Sequence, residues 1–242
     1  VSISLASHTI FVVQSQGSAS TNTPRCFAIG QSAADYQASG LLFGNLFSPY
    51  TACQVYGLNA GFYSGTFTST TPWPKGIYCN VFDFQSSIRQ MYLTGSNVAN
   101  PGANANNFTS ASTYYYLGCG YNSTVTGYYN GTIFEVLIYT SNLSLAQRQT
   151  VEGYLAWKWS LQANLPASHP FSSSVGRITR PFVRQFNPVD IVGCVLWLDA
   201  SDGSTITISS GTSVSQWNDK SGNVDHATQA SASLQPTYAN SA

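Results

Sequence analysis

Short runs of aromatic and β-branched residues, cut apart by clusters of Gly, Pro, Asn and Ser, fill the first 140 residues of this chain. They are Thr9 to Gln14, Arg25 to Gly30, Gly40 to Phe43, Cys53 to Leu58, Gly76 to Phe84, Ile88 to Thr94, Tyr114 to Cys119 and Val125 to Tyr129. Each has the length and composition of a strand, and no helix-periodic stretch separates them. Such a chain closes its backbone hydrogen bonds by antiparallel pairing, which predicts an all-β sandwich or barrel.

Two local signals are sharper. In GYYNGTIFEVLIY, Gly127 to Tyr139, the pair Asn130-Gly131 tolerates the positive φ angles of a type I′ turn. It predicts a hairpin whose second arm is Thr132 to Tyr139, with Glu135 facing solvent or a partner. Next, Ser144-Leu145-Ala146-Gln147 reads as a capping box, and Val151, Tyr154, Leu155 and the Lys158 stem share one helical face. Pro166 bounds this element downstream, so a helix is expected over about 144–161, on the sandwich edge. Residues 165–188, with prolines at 166, 170, 181 and 188, read as a linker. Strand character restarts at Gly193 to Ala200 and Ser213 to Asn218.

Charge narrows the function classes. Lys plus Arg is 9, Asp plus Glu is 9, and charged residues are 7% of 242. No basic face is available to displace counterions, which excludes nucleic-acid binding. Zero net charge removes long-range repulsion between copies and permits dense assembly. No run approaches the ~18 apolar residues of a spanning helix, so no membrane insertion is expected. The five cysteines are odd in number, widely spaced and without a CxxC pair, and read as reduced core residues. The sequence begins at Val1 without Met and is expected to be part of a longer protein.

Two segments carry a family resemblance. FEVLIYTSNLSLAQRQTVEGYLAWKWSLQANLPASHPF, Phe134 to Phe171, resembles the closing strand and trailing helix of a LamG-like, concanavalin A-like module. VLWLDASDGSTITISSGTSVSQWNDKSGNVDHATQASASLQPTY, Val195 to Tyr238, resembles the opening of such a module. Tandem copies of this kind resemble repeats in structural proteins of large DNA viruses. The resemblance implies an all-β, antiparallel two-sheet jelly-roll sandwich with one helix. It divides the chain into a sandwich lacking its usual opening strands (1–164), a linker (165–188) and opening strands (189–242). Those opening strands complete the same sandwich or start the next repeat. First and last strands are neighbours in this fold, so strand 193–199 is expected beside 132–139, from the same chain or a neighbouring copy. An open edge would aggregate, and a missing strand leaves a gap for strand addition by a partner.

Candidate site residues are few. Glucanases of this fold carry an E-x-D-x-x-E strand, which is absent here, and Glu135 has no acidic residue at i+2 or i+4. No catalytic residues and no enzyme activity are therefore expected. His8, His169 and His226 are scattered and read as structural. Asp199, Asp202, Asp219 and Asp225 form the densest acidic group. The resemblance makes them candidate calcium ligands, although Asp202-Gly203 and Asp219-Lys220-Ser221-Gly222 are also ordinary turn formers. No other cofactor is expected. Tyr115, Tyr128, Tyr129 and Trp73 are candidates for contact with a glycan or a protein interface, with core pairing as the alternative. Core packing is expected for Trp157, Trp197 and Trp217. The reading that follows is a non-catalytic structural protein, a minor capsid or surface component of a large virus particle. Its partners would be other structural proteins or copies of itself, and its location the virion. The alternative is a lectin-like, carbohydrate-binding module at a virion or cell surface, with glycans as partners.

Overall fold

A computed structural model describes residues 3–4, 7–17, 25–30, 40–44, 54–56, 63–64, 74–83, 86, 88–99, 111–112, 114–122, 124–126, 128–173 and 186–239. The strands, in chain order, are β1 (Ile3–Ser4), β2 (Ser7–Gln16), β3 (Arg25–Gly30), β4 (Gly40–Gly44), β5 (Gln54–Tyr56), β6 (Tyr63–Ser64), β7 (Gly76–Asp83), β8 (Ile88–Leu93) and β9 (Ser96–Ala99). They continue with β10 (Ala111–Ser112), β11 (Tyr114–Leu117), β12 (Gly120–Asn122), β13 (Thr124–Thr126), β14 (Gly131–Tyr139), β15 (Cys194–Asp199), β16 (Ile206–Ser210), β17 (Ser213–Trp217) and β18 (Ala227–Thr228). One helix, α1 (Leu145–Lys158), stands among them.

Six strands form the main sheet in the order β15-β14-β2-β7-β8-β9, and five form a second in the order β11-β3-β4-β5-β6. All these pairings are antiparallel. The architecture is a two-sheet, jelly-roll-like sandwich with α1 on the outer face of the main sheet. Alternation along each strand sorts side chains onto the two faces. Ile10, Val12, Tyr78, Phe82, Val136, Ile138, Leu196 and Leu198 meet Cys26 of β3 between the sheets. Phe11, Val13, Ile77, Cys79, Val81, Leu137 and Tyr139 meet Val151, Leu155 and Ala156 of α1 on the other side. Because both faces are covered, β2 and β7 are buried almost end to end, on both sides of each strand. Burying one such Leu or Ile side chain stabilises by about 1.5–3 kcal/mol.

The capping box at the start of α1 is present: Ser144 Oγ accepts from Gln147 N, and Gln147 Oε1 accepts from Ser144 N at 3.0 Å. The helix stops at Lys158, about a turn before the expected end, because Ser160 turns into positive φ (59°) and Leu161 N bonds back to Ala156 O. Gly153 lets the next segment approach: a Cβ there would lie 2.5 Å from the Phe171 ring. Residues 161–173 accordingly pack on α1, with Leu161, Leu165 and His169 all buried. The helix is too short to cross a membrane, as is every helix among the described residues.

The turn expected at Asn130-Gly131 is not a type I′ hairpin. Neither residue has positive φ, and Gly131 is already paired with Gln16 of β2. The glycine is there for close approach, since a Cβ would meet Ser15 O at 2.4 Å and the Tyr129 ring at 2.6 Å. The two-residue turn with positive φ at both positions is Thr94-Gly95 (44° and 81°), between β8 and β9.

Candidate functional site

The densest polar cluster lies between α1 and the β14–β15 edge of the main sheet. In register, Glu135 of β14 faces Asp199 of β15. Tyr154 and Lys158, four residues apart on α1, project from one helical stripe toward the pair. Glu135, with no exposed surface, accepts from Tyr154 Oη at 2.9 Å, Trp197 Nε1 at 2.8 Å, Trp159 Nε1 at 2.6 Å and Lys158 Nζ at 2.9 Å. Lys158 bridges to Asp199 at 2.6 Å, and Lys220 bridges Asp199 at 2.9 Å to Asp202 at 2.8 Å. The Lys220 ammonium also sits 4.3 Å above the Trp197 ring.

Burial pushes the Glu135 carboxyl up, more than the Lys158 ammonium pulls it down. For Asp199 burial acts the same way, but hydrogen bonds from Lys158, Ser201 and Lys220 outweigh it and hold the carboxyl below its ordinary range. Asp202 is lowered chiefly by its hydrogen bond from Lys220. Two carboxyls displaced in opposite directions are a pattern seen in acid–base catalysis. Here both oxygens of each are taken by protein donors, and Asp199 is only 3% exposed. Glu135, expected to face solvent or a partner, meets an internal partner because Trp197 and Asp199 arrive from sixty residues downstream.

A second network lies further along α1. Arg148 pairs with Glu152, Glu152 Oε2 lies 3.1 Å from His169 Nε2, and the guanidinium stacks 3.6 Å from the Tyr92 ring centre. Beneath it, burial and then the Glu152 charge push the Cys79 thiol well up. Burial pushes Cys194 up to about 12. Burial thus favours the thiol over the nucleophilic thiolate at both. Cys26 is buried in the inter-sheet core, and Cys53 lies outside the described residues.

The four loop acids divide by task. Asp199 and Asp202 are brought together around Lys220. Asp219 accepts from the backbone N–H groups of Trp197 (2.9 Å), Ser221 (2.8 Å) and Asp225 (3.2 Å). Asp225 is represented in this web by its backbone, whose oxygen accepts from the Tyr115 hydroxyl. The carboxylate oxygens of Asp199, Asp202 and Asp219 are held by ammonium, N–H and serine O–H donors, which does not fit calcium, an ion that needs six to eight oxygens turned inward. Among the described residues no group of three His, Cys, Asp or Glu could hold a metal. The loop does different work: it covers the outer edge of β15. Lys220 N donates to Trp197 O at 2.8 Å, Ser221 Oγ to Val195 O at 3.1 Å, and Asn223 Nδ2 to Val195 O at 3.3 Å. An edge strand closed this way cannot template pairing with another chain.

The aromatic candidates also part company. Tyr115 is half-buried against the inter-sheet core. Tyr129 is half-buried, and its hydroxyl donates to Gln14 Oε1. Tyr128 is 53% exposed. Trp73 lies outside the described residues. Trp197 is buried, Trp157 is half-buried with Nε1 donating to Phe171 O at 3.0 Å, and Trp217 packs against the inter-sheet core. Sequence reasoning missed the roles of Lys158, Lys220 and Tyr154; the i, i+4 spacing of Tyr154 and Lys158 was the one local signal.

No protein-family model and no curated protein matches the sequence. Solved structures do match. A Bacteroides ovatus protein, to which carbohydrate binding has been assigned by inference, aligns with 92% of this chain at 13% identity and a TM-score of 0.52. The alignment covers 52% of that protein, so the chain spans about half its length. A heptameric SAP-like pentraxin from Limulus polyphemus aligns with 61% of this chain and 70% of its own at 15% identity and a TM-score of 0.43. A Trypanosoma rangeli sialidase aligns with 63% of this chain and 23% of its own at 13% identity and a TM-score of 0.42. The first likeness supports the fold reached from strand order: an antiparallel β-sandwich.

Proposed function

We propose that this chain is a non-catalytic, lectin-like module that binds carbohydrate at a surface. The observation that carries the reading is likeness along 92% of the chain to a protein of inferred carbohydrate binding. The buried ionic cluster agrees with it, because its carboxylates hold α1, β14, β15 and the 199–220 loop together and leave none free for chemistry. A glycan array probed with the intact chain tests the reading. Binding to a defined set of oligosaccharides, without their cleavage, is expected. Absence of binding across the array, or release of reducing ends, would contradict it.

A second reading is favoured by composition. With 7% charged residues and zero net charge, copies do not repel one another, as suits a minor structural component of a large virus particle. The resemblance of residues 134–171 and 195–238 to repeated viral modules supports it, with other structural proteins or further copies as partners. Concentration-dependent assembly in light scattering is its test; a monomer at every concentration opposes it.

A further inference from the structure

Two buried donors at the inter-sheet core have no partner, one on the main sheet and one packed against that core from β17. Gln14, on β2 opposite Gly76 of β7 and Ile133 of β14, has no exposed surface, yet its Nε2 has no hydrogen-bond partner. Trp217 Nε1, on a side chain packed against the same core, is likewise without an acceptor. Leaving one such donor unpaired costs roughly 1–3 kcal/mol, so each is an exception that calls for an acceptor. Beside Gln14 lies the Tyr129 hydroxyl, and next in sequence is the exposed ring of Tyr128. Gly131 makes this arrangement attainable, since any side chain there would strike the Tyr129 ring.

We propose that this end of the sandwich is a subsite for one sugar ring, an inference that rests on the carbohydrate-binding reading above. Tyr128 stacks on the C–H face of the ring. A ring hydroxyl takes the place of the Tyr129 hydroxyl at Gln14, accepting from Nε2 and donating to Oε1. None of Gln14, Tyr128, Tyr129 and Trp217 carries a charge, so the ligand is a neutral hexose or N-acetylhexosamine rather than a sialic acid or a sugar phosphate. Apolar walls with a few convergent polar atoms are the usual make-up of a small-molecule site.

The test is calorimetric titration of the intact chain, its Tyr128→Ala variant and its Gln14→Leu variant. The probes are neutral hexose, N-acetylhexosamine and sialic-acid-terminated oligosaccharides, with circular dichroism checking the fold of each variant. Expected are binding of a neutral probe by the parent chain, a loss of roughly tenfold or more in Tyr128→Ala, and roughly five- to tenfold in Gln14→Leu. Unchanged neutral-sugar binding in Tyr128→Ala overturns the subsite and leaves the carbohydrate reading intact. Tyr128 is exposed, so this variant decides the matter even if Gln14→Leu unfolds. Binding confined to the sialylated probe overturns the neutral ligand class. No binding of any probe by the parent chain overturns the carbohydrate reading and the subsite with it.

Discussion

The two faces of the main sheet solve opposite problems. On the helix face, buried charges are numerous and satisfied: Glu135 has four donors, and Asp199 has two ammonium groups and Ser201. On the inter-sheet face the contacts are mostly apolar; His8 and Asn80 pair with each other there, but Gln14 Nε2, and Trp217 Nε1 packed against the same core from β17, have no partner. Burying a charge is tolerable only with full compensation, and on the helix face that compensation ties α1 to β14 and β15. A lone neutral donor costs less, and a site for a ligand can carry that cost. Perturbed acids here mark structure, while the proposed sugar subsite lies on the face without them.

The largest expected effect tests the joint. Lys158→Met strands two buried carboxylates and is expected to cost about 3–5 kcal/mol in urea unfolding; a loss below ~1 kcal/mol would make the cluster incidental. Next, Gly131→Ala forces a methyl onto Ser15 O and the Tyr129 ring and is expected to cost about 1–3 kcal/mol. Asn130→Ala should then be near neutral, whereas a true type I′ turn would make both costly. Ser144→Ala removes the N-cap acceptor and is expected to cost about 1 kcal/mol. Smallest of all, Tyr128→Ala should leave stability within about 0.5 kcal/mol while affecting sugar binding.

Titration sharpens the same contrast. Asp199 and Asp202 are held below the ordinary 3.8, so their stabilisation is present above that pH and is lost as pH falls through their folded values. Glu135, held above 4.5, has the opposite sign: its contribution is full below pH 4.5 and is lost as pH rises through its folded value. For Lys220, burial is outweighed by the Asp202 and Asp199 carboxylates, which raise it above 10.5. Its contribution is full below pH 10.5 and disappears above. Urea midpoints should therefore fall at the alkaline extreme, and that fall should flatten in Lys220→Met, while at the acid end the Asp199 and Asp202 losses and the Glu135 gain oppose one another.

Much of the fold is legible in sequence because strands and caps are local. The run Gly76 to Phe84 maps onto β7, and Ser144 with Gln147 marks the helix start to the residue. What fails is whatever depends on distant contacts. Asn130-Gly131 has turn chemistry, but the approach of β2 decides its use. Thr94-Gly95 makes the two-residue turn without an Asn to announce it. Ile206–Ser210 is too rich in Ser and Thr to be read as a strand until β17 pairs with it. Glu135 gives no local sign of burial, since its indole partners at 159 and 197 follow much later. The loop acids have the composition of a calcium site, and only the placement of Lys158, Lys220 and the β15 backbone engages Asp199, Asp202 and Asp219 otherwise.

Amide hydrogen exchange of Cys194–Asp199, in the parent chain and in Lys158→Met, tests most directly whether the buried charges exist to fasten this strand. The parent should protect the inward amides of β15 as well as those of β2, and the variant should lose roughly a hundredfold or more of that protection. Exchange of β15 within seconds in the parent, or equal protection in both proteins, would contradict the account.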